Sequence, residues 1–157
     1  MIMKHILFVC LGNICRSPAA EAIMKQMLLN SGKSHLADVD SAGTGPWHVG
    51  QLPDHRMRKH GLMHGYRIDS IAWQFKPNDF NRFNLIIAMD QSVAEELKSM
   101  ARSPYDMQKI VCMAQFLRHH PMHNSIPDPY YGQDRDFELV IELLEDACQG
   151  LLEHLIS

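Results

Sequence analysis

Short apolar runs alternate with longer amphipathic segments along this chain. Residues 6–9 and 85–89 are continuously apolar, which is typical of strands that are buried on both faces of a sheet. Weaker strand patterns cover 37–42 and 109–113. We find no linker, repeat or low-complexity tract, so residues 1–157 are predicted to form one domain.

Helical patterns fall between and after these strands; they cover 17–30, 54–59, 92–100 and 137–156. Ser17 is predicted to cap the first helix, with Pro18 in its first turn. Asp54 is predicted to cap the second helix and Gly61 to end it. This alternation predicts an α/β fold, a doubly wound sheet of about four parallel strands with helices on both faces. Ligands of such sheets bind beyond the carboxyl ends of the strands.

The composition changes this picture mainly by exclusion. The 157 residues are 46% hydrophobic and carry a formal net charge of -3, so we expect an ordered protein with no general attraction for nucleic acid or an anionic membrane. The N-terminal apolar run is too short for a membrane span or a signal peptide. Four cysteines are too few for a disulfide scaffold, and we therefore expect a cytoplasmic protein with free thiols.

The loop after the first strand carries the most specific chemistry. Cys10 ends the strand, and Arg16 stands just before the predicted helix. Inward backbone N–H groups, a helix N-terminus and a guanidinium together attract an anion and favour the thiolate form of Cys10. Gly12 and Asn13 tolerate the positive φ that such a loop needs. The predicted phosphate-binding residues are Leu11, Gly12, Asn13, Ile14, Cys15 and Ser17.

Four segments of the chain carry a family resemblance. They read VCLGNICRSP at 9–18, DSAGT at 40–44, FNLIIAMD at 83–90 and DPYYG at 128–132. The first closely resembles the active-site loop of the low-molecular-weight protein tyrosine phosphatases, and the others extend the resemblance along nearly the whole chain.

The resemblance implies a phosphatase that works through a phosphocysteine. Cys10 would attack the phosphorus of a phosphomonoester, Arg16 would hold the phosphate oxygens, and Asp128 would act as general acid and then as base. Pro127 and Pro129 stiffen the segment that carries this carboxyl group. No cofactor and no metal are expected, because Arg16 and the backbone carry the charge and the ten histidines show no metal-ligand spacing.

The resemblance also assigns supporting roles. Asn13 would hold the loop, Ser17 would donate to the thiolate, and Ser41 would belong to the same hydrogen-bond network. Eukaryotic members add a histidine to that network; its position falls at or near Ser70 here, with His64 a few residues earlier, so we expect a different routing.

Two further expectations concern the cysteines and the pocket. Cys15 matches a cysteine that forms a disulfide with the nucleophile and protects it from over-oxidation, whereas the remaining cysteines, Cys112 and Cys148, are expected in the core. The aromatic walls of a phosphotyrosine pocket would come from Trp47, Tyr130 and Tyr131, with Leu11 and His48 at the rim.

The expected substrates and partners follow from the same resemblance. They are phosphotyrosine proteins, a tyrosine kinase that the phosphatase opposes, and competing oxyanions such as phosphate, vanadate and arsenate. Ile14 favours phosphotyrosine, since members that prefer phosphoarginine tend to carry threonine there.

Two other activities share this loop and fold. A thioredoxin-coupled arsenate reductase needs two more cysteines placed close together, and Cys112 and Cys148 are far apart in sequence. A phosphocysteine-carrying subunit of a sugar transporter would need neither Arg16 nor Asp128. A protein-tyrosine phosphatase is therefore the interpretation that uses all three residues.

Overall fold

Four parallel strands form one sheet, and five helices surround it. The computed structural model of the protein describes residues 2–157. The strands are β1 (Lys4–Cys10), β2 (Ala37–Gly43), β3 (Leu85–Ala88) and β4 (Ile110–Cys112), in the sheet order β2–β1–β3–β4. The helices are α1 (Arg16–Asn30), α2 (His55–Met63), α3 (Gln91–Met100), α4 (Pro104–Gln108) and α5 (Asp134–Ile156), with 3₁₀ segments at Pro77–Arg82 and Met113–Phe116.

Alternate side chains of β1 point into two separate cores. Ile6 and Phe8 pack with residues of α1 and α5, whereas Leu7 and Val9 pack with residues of α3 on the opposite face. All four side chains are fully buried, which explains the unbroken apolar run that the sequence shows. The predicted single-domain α/β fold with helices on both faces is therefore confirmed.

The prediction that Ser17 caps α1 is wrong. Cys15 occupies the N-cap position and makes no capping hydrogen bond through its side chain, while Ser17 lies inside the first turn. Ser17 turns toward Cys10 instead, so its hydroxyl is used in the loop and not at the helix end. Local propensity alone does not detect such a competing partner.

The predicted limits of two other helices are also wrong. Helix α2 continues through Gly61 to Met63. A Cβ atom at Gly61 would lie 2.5 Å from the Ile68 side chain, so glycine serves close packing there and does not end the helix. Helix α5 begins one turn before Phe137, because the Asp136 carboxylate accepts from the Gln133 backbone N–H at 2.7 Å ahead of the apolar stripe.

The order of the strands creates a crevice at the end of β1. The chain passes from β1 to β2 on one side and later returns to β3 on the other, so the winding reverses between β1 and β3. Cys10 ends β1 at this point, and Asp90 follows β3. A crevice of this kind is the general ligand site of doubly wound sheets.

Within residues 2–157, no helix has both the length and the apolar character required to cross a membrane.

Candidate active site

A cavity of about 310 Å³ opens in this crevice, above the end of β1. Its floor is the segment of residues 10–17, here called the Cys10 loop, and one wall belongs to residues 126–132, here called the Asp128 loop. The lining residues are Cys10, Leu11, Gly12, Ile14, Cys15, Arg16, Trp47, His48, Asp128, Tyr130 and Tyr131. The structure thus brings the predicted nucleophile, guanidinium, acid and aromatic walls to one cavity.

The backbone of the Cys10 loop is available to an anion. Across the part of the chain that the structure describes, none of the backbone N–H groups of residues 11–15 donates a hydrogen bond to another protein group. The N-terminus of α1 follows directly and adds its partial positive charge. Free amides at a helix N-terminus are a common arrangement for binding phosphate.

Asn13 holds the loop in shape. Its φ of 57° is left-handed, the only positive φ of a non-glycine residue within 2–157. Its Nδ2 donates to Ser17 Oγ at 2.8 Å and to Ser41 Oγ at 3.0 Å. Its Oδ1 accepts from the Trp73 backbone N–H at 3.1 Å, which fixes the orientation of the amide. One side chain therefore ties the loop to β2 and to the segment before β3.

These bonds determine where the Ser17 proton points. Both serine oxygens accept from Asn13, and Ser41 Oγ donates onward to Glu21 Oε1 at 2.7 Å. The hydrogen of Ser17 is then free for Cys10 Sγ, 2.9 Å away, or for the Ala42 carbonyl at 3.3 Å. A thiolate has no hydrogen of its own, so when Cys10 is deprotonated the Ser17 hydroxyl is the donor in the shorter contact.

The network ends at Glu21 and Lys25, not at a histidine. Glu21 is buried, and its second oxygen accepts from Lys25 Nζ at 2.5 Å. His64 is bound to Glu138 Oε1 at 2.8 Å in the pair of helices α2 and α5. The sequence analysis expected a network without the histidine near Ser70, but it missed Glu21. In the structure the network continues from Ser41 to Glu21. Its signal was the spacing: Ser17 and Glu21, four residues apart, share one face of α1.

Hydrogen bonds to Asp90 and to the Ile126 carbonyl fix the orientation of the Arg16 guanidinium. Its Nη1 donates to Asp90 Oδ2 at 2.6 Å and to the Ile126 carbonyl at 3.0 Å, while its Nη2 lies 3.7 Å from Asp128 Oδ2. Burial would lower the pKa of Arg16, but Cys10, Asp90 and Asp128 outweigh it and keep the pKa above its ordinary value. The guanidinium is therefore a fixed positive charge at the cavity. Its Nη2 remains available to bind an anion there.

Asp90 is a second residue that the sequence analysis missed. Its Oδ1 accepts from the Val93 N–H at 2.8 Å as the cap of α3, and its Oδ2 binds Arg16. An aspartate before a helix is sufficiently explained as a cap. The other available signal was its place at the carboxyl end of a parallel strand.

The Asp128 loop is more exposed than the Cys10 loop. The Asp128 side chain is 44% exposed, and its Oδ1 accepts from the Tyr130 N–H at 3.1 Å in a local turn. The Ile126 N–H donates to the Met89 carbonyl at 2.9 Å, which anchors the beginning of the loop to the end of β3. The Tyr130 and Tyr131 rings meet edge to face with centroids 4.9 Å apart.

The four cysteines are free thiols in different surroundings. Cys10 and Cys15 both line the cavity. Burial, with Asp54 and Cys10 nearby, raises the pKa of Cys15, so this residue stays a thiol. Cys148 is in the core between α1 and α5, while Cys112 contacts the opposite core and is only partly buried. Since the sheet separates them, they do not form the adjacent pair that an arsenate reductase needs.

Metal ligands do not cluster in the described chain: among residues 2–157, no group of three or more His, Cys, Asp or Glu side chains is arranged to hold a metal ion.

Comparisons with a family model, with related sequences and with solved structures indicate the same family. Residues 5–157 match the model of the low molecular weight phosphotyrosine protein phosphatase family. A low molecular weight protein-tyrosine-phosphatase of Streptomyces coelicolor is 39% identical over 94% of this chain and 91% of that protein. A crystal structure of a protein tyrosine phosphatase from Entamoeba histolytica, with Hepes in its active site, has a TM-score of 0.94 at 45% identity and covers 98% of this chain and 97% of its own. The structure of an arginine phosphatase from Drosophila has a TM-score of 0.89 at 33% identity, with 99% of each chain covered.

Proposed function

Because the chain belongs to the low molecular weight phosphotyrosine protein phosphatase family and acts on phosphotyrosine, we propose that Cys10 is its nucleophile, Arg16 its phosphate ligand and Asp128 its general acid and base. The observation that carries this assignment is the single cavity with Cys10 at its floor and the other two side chains beside it. The sulfur has a hydroxyl at 2.9 Å and unoccupied backbone donors around it.

In the first step, the Cys10 thiolate attacks phosphorus while the bond from phosphorus to the tyrosine oxygen breaks. Asp128 gives its proton to that oxygen, so phenol leaves and not phenolate. The serine contact lowers the energy of the thiolate before attack. The product of this step is a phosphocysteine and a carboxylate at Asp128.

In the second step, water attacks the phosphocysteine. Asp128 takes the water proton as the phosphorus–sulfur bond breaks, which releases phosphate and restores both the thiolate and the carboxylic acid. One carboxyl group serves both steps because the attacking water takes the position of the departed phenol. Partial exposure gives Asp128 access to solvent for its proton.

The phosphate charge is carried by Arg16 and the loop amides. Asp90 and the Ile126 carbonyl occupy Nη1, so the guanidinium plane is fixed before substrate binds. Preorganised donors of this kind need no rearrangement during reaction, and removal of one typically costs about 10²–10³ in rate. The contact of 3.7 Å between Nη2 and Asp128 is weak enough to be exchanged for a phosphate oxygen.

The replacement of Cys10 by serine tests the nucleophile. The variant should lose hydrolysis of p-nitrophenyl phosphate and form no phosphoenzyme after acid quench in mass spectrometry. It should keep binding vanadate or phosphate, because Arg16 and the amides remain. Turnover by the serine variant would contradict the assignment.

Aromatic and apolar side chains favour an aryl phosphate as the substrate. Trp47, Tyr130 and Tyr131 line the mouth, and Ile14 supplies an apolar wall near the floor. Phosphotyrosine is long enough to reach Cys10 through such walls, whereas phosphoserine is short. Phosphoarginine is the second candidate, since a relative of 33% identity is an arginine phosphatase. Ile14, where arginine phosphatases tend to carry threonine, favours phosphotyrosine.

A comparison of three phosphopeptides of one sequence tests this preference. We expect a kcat/KM for phosphotyrosine that is much higher than for phosphoserine or phosphoarginine. A higher value for phosphoarginine would reverse the substrate assignment without changing the assigned nucleophile. Addition of arsenate should inhibit as a competing oxyanion, and arsenate reduction with thioredoxin would reject the phosphatase chemistry.

Cys15 is proposed as the redox partner of Cys10. Peroxide would oxidise the Cys10 thiolate to a sulfenic acid, and the Cys15 sulfur would then displace water and form a disulfide. The raised pKa of Cys15 makes this second reaction slower than that of an ordinary exposed thiol. Mass spectrometry after peroxide treatment should show the Cys10–Cys15 bond, whereas a lasting sulfonic acid on Cys10 would argue against it.

The proposed partners are phosphotyrosine proteins and a tyrosine kinase that phosphorylates them. Phosphate, vanadate and arsenate are proposed inhibitors, because the Cys10 loop offers its donors to any tetrahedral oxyanion. The sulfonate buffer in the Entamoeba structure supports this chemistry. A reducing compartment such as the cytoplasm would keep the nucleophilic thiol active.

A further inference from the structure

The beginning of α2 lies between the two loops that form the cavity. Asp54, the cap of α2, donates its backbone N–H to the Ile14 carbonyl in the Cys10 loop at 2.8 Å. Its carboxylate forms two parallel hydrogen bonds with Arg56, at 3.1 Å from Nε and 2.9 Å from Nη2. This two-point geometry holds the guanidinium in one orientation.

The same guanidinium reaches the Asp128 loop. Arg56 Nη2 donates to the Tyr130 carbonyl at 2.9 Å. The guanidinium carbon lies 5.6 Å from the centre of the Tyr130 ring and 4.7 Å from that of Phe137 in α5, which are cation–π distances. The Tyr130 N–H in turn donates to Asp128 Oδ1. Two hydrogen bonds thus connect Arg56 to the carboxyl group of Asp128.

We propose that Arg56 is a positioning residue that fixes Asp128 relative to Cys10, with Asp54 as its connection to the Cys10 loop. This inference rests on the proposed function of Asp128. Arg56 does not line the cavity, so it acts on the reaction through its contacts with Tyr130 and Asp54 and not by touching the substrate. A small displacement of a proton donor is costly, since about 1 Å can reduce a rate by about 10²-fold.

The leaving group of the substrate distinguishes positioning from general support. Phenyl phosphate needs its oxygen protonated, whereas the nitro group of p-nitrophenyl phosphate stabilises the departing phenolate. The two substrates have nearly the same size, so contacts with the pocket walls are matched. We expect Arg56→Met to lower kcat/KM about tenfold for phenyl phosphate, which is part of the about 10²–10⁴-fold that general acid catalysis contributes. For p-nitrophenyl phosphate we expect a loss of less than about threefold.

A double-mutant cycle with Asp128→Asn gives the second measurement. Asparagine keeps the acceptor for the Tyr130 N–H but has no proton to give. In that background, Arg56→Met should cause no further difference between the two substrates. Equal losses for both substrates in the single variant, or a further difference in the Asp128→Asn background, would overturn the proposal.

Arg82→Met is the matched control. Arg82 also forms an ion pair with one carboxylate, at 2.9 Å to Asp79, and also lies over two aromatic rings, those of Trp73 and Phe83. Arg82→Met should leave the ratio of kcat/KM for the two substrates unchanged. If it changes that ratio as Arg56→Met does, the effect reflects general stability and the proposal is overturned. Arg56→Lys keeps the charge if the methionine variant fails to fold, and it should change the ratio in the same direction.

Failure of the proposed function gives a different pattern. If Asp128→Asn itself does not distinguish the two substrates, the acid role of Asp128 is wrong and the positioning role is overturned with it. If Asp128→Asn distinguishes them and neither Arg56 variant does, only the positioning role is overturned.

Discussion

The two loops that meet at the cavity are held in opposite ways. In the Cys10 loop, Asn13, Arg16 and Ser17 are at most 3% exposed. Asn13 and Arg16 each make two hydrogen bonds to other segments, and Ser17 makes one. In the Asp128 loop, the Asp128 side chain is 44% exposed and Tyr131 is 95% exposed. One loop is part of the core, and the other is a surface loop fastened at a few points.

This difference matches what each loop must do. Phosphate charge is best stabilised by donors that are fixed before the reaction, so a rigid Cys10 loop is an advantage. A proton donor must exchange its proton with water and allow an aromatic ring to enter, so exposure of the Asp128 loop is tolerable. The rigid Cys10 loop therefore suits stabilisation of the phosphate charge. The more exposed Asp128 loop suits proton transfer.

The largest expected effect is on the rigid side. Arg16→Lys replaces a fixed fork by a single point charge that Asp90 and the Ile126 carbonyl can both attract away from phosphate. We expect kcat/KM for p-nitrophenyl phosphate to fall by about 10³-fold, as on loss of an oxyanion donor. Arg102→Lys, which alters an ion pair with the buried carboxylate of Asp106 outside the cavity lining, is the control and should change kcat/KM less than about twofold. Near-normal activity of Arg16→Lys would show that the fork geometry is dispensable.

Asp128→Asn should separate activity from stability on the exposed side. We expect kcat/KM for phenyl phosphate to fall by about 10²-fold, since the proton donor is lost. The free energy of unfolding, measured with urea, should change by less than about 0.5 kcal/mol, because the side chain is exposed and the turn to Tyr130 is kept. A large loss of stability would mean that the Asp128 loop is as tightly bound as the Cys10 loop.

Asn13→Ala, unlike Asp128→Asn, should lower the free energy of unfolding strongly. It removes two donated hydrogen bonds and one accepted bond in the core, so we expect the free energy of unfolding to fall by about 2–3 kcal/mol. Tyr131→Ala, on the other loop, should cost less than about 0.5 kcal/mol because the ring is almost fully exposed. Urea titrations of both variants measure the contrast directly, and similar losses would contradict it.

The smallest expected effect concerns the far end of the Asp128 loop, where α5 begins. Burial would lower the pKa of His60, but hydrogen bonds with Asp134 and Glu138 outweigh it and hold the pKa above its ordinary value. The resulting stabilisation is fully present below about pH 6.5 and is lost as the pH rises through the raised pKa.

His60→Gln should remove this pH dependence. The free energy of unfolding of the native protein should fall between pH 6 and pH 9, whereas that of the variant should change less over the same range. His35→Gln, a change at an exposed histidine, is the control and should keep the native slope. A variant with the native slope would show that His60 does not cause it.

Much of the fold and the floor of the site could be predicted because their signals are local. The strand, the turn residues and Arg16 lie within eleven consecutive positions, so one segment contains the whole anion site. The alternating pattern of apolar runs likewise depends only on neighbours in the chain.

The residues that could not be predicted have partners far along the chain. Asp90 binds Arg16 across 74 positions, and Arg56 reaches Tyr130 across the same separation. Each also has a local explanation, Asp90 as a helix cap and Arg56 as a partner of Asp54, and that explanation hides the distant contact. Ser17 shows a different error: it is a favourable cap residue, but its hydroxyl binds Asn13 and Cys10 of the same loop instead of capping the helix.

The exposed rim of the cavity has a consequence for how the enzyme can be redesigned. Trp47 and Tyr131 line the mouth with 63% and 95% of their surface in solvent. Exchange of these side chains therefore alters which molecules enter without disturbing the parts that break the phosphate ester. A library of variants confined to these positions should yield new substrate ranges at little risk to folding, whereas the same effort spent on the floor would mostly produce inactive protein.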